Sequence, residues 1–212
     1  MFAQISFIKK EHIIANVYTF YFKKPENFKI KSGQYGLFIE PKFARPHPFS
    51  FSSAPQEKYL SFTTDISSHS NFKVNLMKMN AGNKLLLLGP LQNFKLESES
   101  KKYVFLAQGI GITPFRALLK DKKERQLPVT VTLIHVAKTE HVFQNLTQEE
   151  AEKAYYPNNS SEFRDILAQE LQADAFYIAG SGNFVKTTKN FLLENQVNAT
   201  SITGDTFFGY KD

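Results

Sequence analysis

The hydrophobic pattern of this 212-residue chain changes once, near Glu97 to Lys102, and that change constrains the fold more than any other feature. Before it, short alternating segments are broken by Gly, Pro, Asn and Ser, with no long helical period. Val17 to Lys23 is the clearest: Tyr18, Phe20 and Phe22 share one face, Thr19, Tyr21 and Lys23 the other, the period of a half-buried strand. Tyr35 to Ile39, Phe49 to Ser52, Tyr59 to Thr64 and Lys84 to Leu88 read the same way, and short strands at this spacing predict a barrel or a sandwich. After the change, Tyr103 to Ala107, Val129 to Val136 and Ala175 to Ala179 are continuous apolar or β-branched runs, as strands covered on both faces should be. Helical segments alternate with them at Pro114 to Lys120, Ser161 to Leu171 and Phe184 to Asn195, the series of a parallel α/β domain. The chain therefore divides at residues 1–98 and 99–212.

Composition excludes several chemistries. With no cysteine there is no disulfide, thiolate nucleophile or thiolate-held cluster, so an electron carrier in this chain must be a bound organic cofactor. The longest uncharged apolar run, around Leu85 to Leu88, falls far short of the roughly 20 residues a membrane-spanning helix needs. Met1 to Lys10 is the reverse of a secretory signal, which predicts a cytoplasmic protein. The net charge of +6 suits an acidic partner, while the thin spread of lysines argues against a nucleic-acid surface. His12, His69, His135 and His141 lack metal-ligand spacing and read as surface or strand-end residues; Glu149 to Glu152 reads as a solvated helix face.

Three segments carry candidate chemistry. Gly109-Ile110-Gly111-Ile112-Thr113-Pro114 follows a buried run and opens a helix, where backbone amides and the helix dipole favour phosphate. Proline holds the last position, so this is not the three-glycine dinucleotide fingerprint. Gly180-Ser181-Gly182 is a second glycine turn between a buried run and a helix, and both turns should open onto one edge of the sheet. Lys138, after the strand ending at Val136, is placed to meet a 2′-phosphate or to stand exposed at a strand end. In the first half, His47-Pro48-Phe49-Ser50-Phe51-Ser52-Ser53-Ala54-Pro55 sets an aromatic beside a hydroxyl, the combination of flat apolar cover and hydrogen-bonding edge that an isoalloxazine requires.

This last segment resembles the flavin-binding motif of the ferredoxin-NADP reductase superfamily, Arg-x-Tyr/Phe-Ser/Thr, in the His-for-Arg form of its ferric reductase and NADPH oxidase branch. Further likenesses occur in family order: Ser32-Gly33-Gln34-Tyr35, Ser70-Asn71-Phe72-Lys73 with Leu76 and Gly82, Gly89-Pro90, the Gly109 to Pro114 loop, and the aromatic end Phe207-Phe208-Gly209-Tyr210. The resemblance implies an antiparallel Greek-key β-barrel that binds FAD over 1–98, followed by an α/β domain with a parallel sheet that binds NAD(P)H over 99–212. It implies that Phe49 covers one flavin face, Ser50 hydrogen-bonds near N5, His47 and Pro48 border the FAD phosphates or ribityl chain, and Asn71, Phe72 and Lys73 meet the pyrophosphate. Gly109, Gly111, Thr113 and Pro114 would face the nicotinamide, Lys138, Gly180 and Ser181 the nucleotide, and Phe207 the second flavin face. The implied activity is hydride transfer from NADPH or NADH to flavin, with Ser50, Phe49, Thr113 and Phe207 at the reacting centre. Electrons would pass to an external acceptor, an acidic ferredoxin or flavodoxin, a ferric chelate, a quinone or free flavin. The alternatives are a flavin reductase that uses flavin as a loosely bound substrate, and a non-enzymatic nucleotide-binding module.

Overall fold

A computed structural model describes residues 2–41, 43–92 and 94–207. Six strands, β1 (Phe2–Ile14), β2 (Val17–Lys23), β3 (Gln34–Glu40), β4 (Phe43–Ser50), β5 (Tyr59–Asp65) and β6 (Lys84–Gln92), form one antiparallel sheet in the order β4-β3-β6-β1-β2-β5. β6 returns to lie between β1 and β3, the long connection of a Greek key. The ends of the sheet meet where Phe51 bridges Phe62 and the Ser52 N–H donates to the Ser61 carbonyl at 2.8 Å, which closes a barrel. Val17–Lys23 is a strand with Phe20 and Phe22 fully buried, as expected, but Thr19 on the other face is buried as well, where its hydroxyl pairs with that of Thr63 at 2.8 Å.

Phenylalanines fill the barrel because alternate positions on every strand face one narrow interior. Phe20, Phe22, Phe38, Phe51 and Phe62 are buried there, and Phe38 and Phe62 approach to 4.5 Å between ring centroids. Helix α1 (Asn71–Lys78) adds Phe72 and Leu76 to the same cluster.

The second half is a parallel sheet in the order β11-β10-β7-β8-β9, built from β7 (Lys102–Gln108), β8 (Thr130–Val136), β9 (Lys153–Tyr155), β10 (Ala175–Gly180) and β11 (Ile202–Thr206). Helices α2 (Thr113–Glu124), α3 (Gln144–Glu150), α4 (Ser160–Ala168) and α5 (Gly182–Glu194) connect the strands. Alternate residues of β7, β8 and β10 go to opposite faces. Phe105, Val131 and Leu133 join α2 through Phe115, Leu118 and Leu119, whereas Leu106, Ile134 and Ile178 join α4 and α5 through Phe163, Leu167 and Leu192. Burial on both sides explains why these strands are apolar without alternation. Among the described residues, no helix is long and apolar enough to cross a membrane.

The α2 face is also where the two sheets are joined. Val17 and Phe94 belong to the core beneath it, with Ile13 and Ile14 packed alongside. Asp121, 2% exposed, accepts from Ser32 at 2.7 Å and Gln56 at 2.8 Å on the barrel side and from Arg125 at 3.2 Å on its own helix. Removing this carboxylate leaves three donors without their acceptor, two of them from the other half of the chain. Asp121→Ala is expected to lower the unfolding free energy by about 2 kcal/mol, which urea denaturation would measure; an unchanged midpoint would exclude this role.

Candidate flavin and nucleotide site

β4 carries the predicted flavin motif along one edge of the sheet, with His47 opposite Phe38 and Ser50 opposite Tyr35 on β3. His47, 6% exposed, stacks on Phe72 of α1 with centroids 4.0 Å apart and planes 20° apart. Phe49 stacks on Phe62 at 4.4 Å and lies nearly parallel to Phe72 at 5.8 Å. The rings thus form a ladder from the barrel interior to the first turn of α1, with Phe49 between Phe62 and Phe72. Pro48 is half-buried on the same strand. Ser50 is buried, yet its hydroxyl takes no hydrogen bond among the described residues.

The amino end of α1 has no side-chain cap from Ser70, and its ladder of backbone bonds begins only where the Val74 N–H donates to the Ser70 carbonyl at 2.9 Å. The amides of Asn71, Phe72 and Lys73 therefore precede the first intrahelical bond. Burial pulls the Lys73 ammonium below the usual lysine range, and Asp65 partly restores it. Together with His47, this end of the helix suits an anion.

In the parallel half, Gly109 leaves β7 with φ +53°, a conformation glycine adopts without strain, and begins a single 3-10 turn to Ile112. The turn packs against β5, β8 and β10. Thr113 is buried and spends its hydroxyl on the Ile110 carbonyl at 2.7 Å, closing the turn from which α2 starts, with Pro114 in the first helical turn. Gly111 lies directly against β10: a Cβ there would sit 2.1 Å from the Ala179 carbonyl oxygen. The first glycine turn thus meets the strand that carries the second. Ser181 caps α5 by accepting from the Phe184 N–H at 3.3 Å, and the Phe207 N–H donates to the Gly180 carbonyl at 2.8 Å. Phe207 is half-buried beyond β11; Phe208, Gly209 and Tyr210 lie outside the described residues.

Lys138 is exposed and stands apart from the cleft at this sheet edge. That cleft, about 230 Å³, is lined by Gln108 and Val136 at the strand ends, Ser160 and Arg164 on α4, and Asn183 and Thr187 on α5.

Three residues have roles that the sequence does not assign them. Gln108 joins the glycine turns, its side-chain oxygen accepting from the Ser181 hydroxyl at 2.6 Å and the Ser181 N–H at 3.3 Å. Arg116, in the helix opened by the first turn, donates to the Ser52 carbonyl two residues beyond Ser50 and forks onto Glu57 at 2.8 and 3.0 Å. It ties the flavin-like segment to the nucleotide-like turn. A lone helical arginine carries no sequence signal of this, although the Ser-Pro turn it meets does. His135 stands at a strand end, as expected, but is fully buried rather than on the surface, because the Gly109 turn and His141 close over the end of β8.

Known proteins fit this geometry. Residues 2–84 match a family model described as an FAD-binding domain. Over 122 residues the chain is 31% identical to a superoxide-generating NADPH oxidase heavy chain of Dictyostelium discoideum, covering 47% of this chain and 23% of the relative. Over 133 residues it is 32% identical to respiratory burst oxidase homolog protein A of Solanum tuberosum, covering 50% and 14%. The chain thus spans less than a quarter of either oxidase. It is also similar to the flavohemoprotein of Bacillus subtilis, 24% identical over 219 residues and covering 88% of this chain and 54% of that one. Its fold matches phthalate dioxygenase reductase, with TM-score 0.82, 16% identity and coverage of 100% of this chain and 70% of that one. It also matches a ferredoxin NADP+ reductase from Neisseria gonorrhoeae, solved with bound FAD and NADP, with TM-score 0.76, 21% identity and coverage of 98% and 99%. A Greek-key barrel packed against a parallel α/β sheet is the fold that the chain shares with these two reductases. Residues 2–84 add the match to an FAD-binding domain, and the two oxidases are similar to about half of the chain.

Proposed function

We propose that the chain is an FAD-dependent NAD(P)H oxidoreductase, with flavin held by residues 1–98, the dinucleotide by residues 99–212, and electrons passed to an external acceptor. The observation that carries this reading is the junction of the two motifs. Arg116 leaves the helix opened by the Gly109 turn and grips the strand that continues from Ser50, while the turn itself rests on β5. When bound, the flavin would accept hydride from dihydronicotinamide and release electrons onward; no protein acid or base is required for that transfer.

The residues supply position and environment. The outward part of Phe49 and the half-buried Phe207 offer apolar cover, and Phe62 stiffens Phe49 from behind. The Ser50 hydroxyl, unbonded among the described residues, is the donor for a reactive ring edge. The first-turn amides of α1, with His47 and Lys73, would hold phosphate. Thr113 acts through the turn it closes. Gly109, Gly111, Pro114, Gly180 and Ser181 shape the backbone along which the dinucleotide would lie, and the cleft beside Arg164 would take its distal half. Arg164 supports NADPH, with exposed Lys138 as a further cation at that edge.

A second reading, a reductase for which flavin is an exchangeable substrate, is favoured by His47. Its ring is committed to Phe72, and it lacks arginine's permanent two-pronged charge. Ser50→Ala is expected to slow flavin reduction about 10²-fold while changing stability by less than about 1 kcal/mol, read by rapid-mixing absorbance and denaturation. Equilibrium titration with FAD and FMN, followed by anaerobic NADPH or NADH, tests the reading itself. Flavin uptake and bleaching are the expected results. A colourless purified protein that still reduces added flavin supports the second reading, and failure to take up or reduce either flavin overturns both.

A further inference from the structure

The end of β8 holds a buried histidine pair that the proposed chemistry does not use. His135 is 0% exposed, and its Nε2 stands 2.9 Å from the Gly109 carbonyl oxygen. A carbonyl only accepts, so Nε2 carries the proton, and neutral His135 has a bare lone pair at Nδ1. Among the described residues that atom has no partner, nor has Nδ1 of His141, whose ring meets His135 edge to face at 4.9 Å. Tyr156 closes the cluster, its ring 4.8 Å from His141 and 6.4 Å from His135. The Tyr156 hydroxyl bonds to Thr147 at 2.7 Å and leaves both imidazole nitrogens unserved. A buried polar atom left unpaired costs stability, and an apolar residue would suit this place in the core better unless the Nε2–H does something the fold needs.

Gly109 shows what that is. A Cβ there would meet nothing within 4 Å, so the glycine is not required by crowding, and its φ of +53° is one of several conformations open to it. The path of the turn is therefore not fixed by its own sterics. The bond from His135 fixes the direction of the Gly109 carbonyl. Because the peptide is trans and planar, it also aims the Ile110 N–H away from the imidazole.

We propose that His135 is a positioning residue for the pyridine dinucleotide: its Nε2–H selects one orientation of the Gly109–Ile110 peptide, and with it the backbone surface that the dinucleotide meets. This rests on the reading of the protein as an NAD(P)H oxidoreductase. Burial, helped by the neighbouring His141, holds the imidazole neutral through the ordinary pH range, and the Gly109 carbonyl keeps its proton on Nε2. His141 and Tyr156 are the titratable groups that face it; the Gly109 turn contributes none.

The test compares His135→Gln, whose amide can place a donor near Nε2, with His135→Leu, which fills the space without one. Both are assayed in the FAD-loaded protein for NADP+ and NAD+ affinity by calorimetry and for FAD affinity by fluorescence. The expected result is about a tenfold loss of dinucleotide affinity in His135→Leu, recovery to within about threefold in His135→Gln, and unchanged FAD affinity in both. Wild-type affinity in His135→Leu, or equal loss in the two variants together with weakened FAD binding, overturns the proposal while leaving the functional reading intact. Absence of NADP+ and NAD+ binding by the wild-type protein overturns that reading and this inference with it. Should His135→Leu fail to fold, nitrogen-15 NMR of the wild-type imidazole decides. The Nε2–H tautomer, with a shift on adding NADP+, supports the proposal, and an Nδ1–H tautomer or an unmoved resonance overturns it.

Discussion

Replacing Gly111 by alanine is expected to destabilise the protein by about 4 kcal/mol and to abolish dinucleotide binding. The added methyl would stand 2.1 Å from the Ala179 carbonyl oxygen, 2.6 Å from its carbon and 3.0 Å from the Gly180 nitrogen. All three are backbone atoms, so no side-chain rotation relieves the overlap, and one turn must move away from the other. Gly109→Ala is the control. Its Cβ enters open space and the cost is confined to the positive φ, about 1 kcal/mol. Thermal denaturation of the two variants separates crowding from backbone conformation. Equal losses would show that the close approach of Gly111 to β10 does not hold the two turns together.

Acid should destabilise the fold well before its carboxylates titrate. Burial depresses the His135 imidazole from 6.5 to about 4, and the Gly109 carbonyl only partly offsets this. The sign follows from which state binds the proton. Between pH 6.5 and 4 the unfolded chain is protonated at this residue and the folded one is not, so stability is complete above 6.5 and falls as pH drops toward the folded value. The loss from His135 reaches about 3 kcal/mol. His141, also lowered by burial, adds a smaller loss of the same sign. Glu57 acts only at the acid end of this window and below it. Burial pushes its carboxyl up, but the Arg116 fork and the Ala54 amide outweigh that and hold it under the ordinary glutamate value of 4.5, so its contribution disappears only as pH falls beneath that value. Urea midpoints measured across this range should fall steeply in the wild-type protein and much less in His135→Gln. Parallel curves would contradict a neutral buried imidazole.

How much of this was legible in the sequence depends on how local each signal is. β2 announced itself through Val17–Lys23, since one barrel face per alternate residue is a property of the strand alone. β7, β8 and β10 were equally plain as apolar runs, and Pro114 marked the start of α2, which then continues to Glu124. β1 was not recognised as a thirteen-residue strand, because register shifts between Phe7 and Lys9 and between His12 and Ile14 break its alternation. α1 has only eight residues, about two turns, too few for a helical period to emerge. β11 is a polar edge strand containing Gly204, and its pairing with β10 is what makes it a strand.

The candidate site divides along the same line. The glycine turns and the His47 to Ser50 segment were visible as motifs. Gln108, Arg116, Asp121 and His135 were not, because each matters through partners far along the chain: His135 through Gly109, 26 residues away, and Asp121 through Ser32, 89 residues away. Phe49 shows the limit from the other side. Its place in the motif pointed to a flavin, whereas its packing on Phe62 makes it also part of the barrel core.

The central claim is that hydride passes from a dinucleotide bound at the Gly109 and Gly180 turns to a flavin bound along β4. Anaerobic rapid mixing of the FAD-loaded protein with NADPH, and with NADPH deuterated at C4 of the nicotinamide, measures that step directly. Bleaching of the flavin absorbance is expected, several-fold slower with deuterium and about 10²-fold slower in Ser50→Ala. Oxidised flavin that persists in the presence of both NADPH and NADH would contradict the claim.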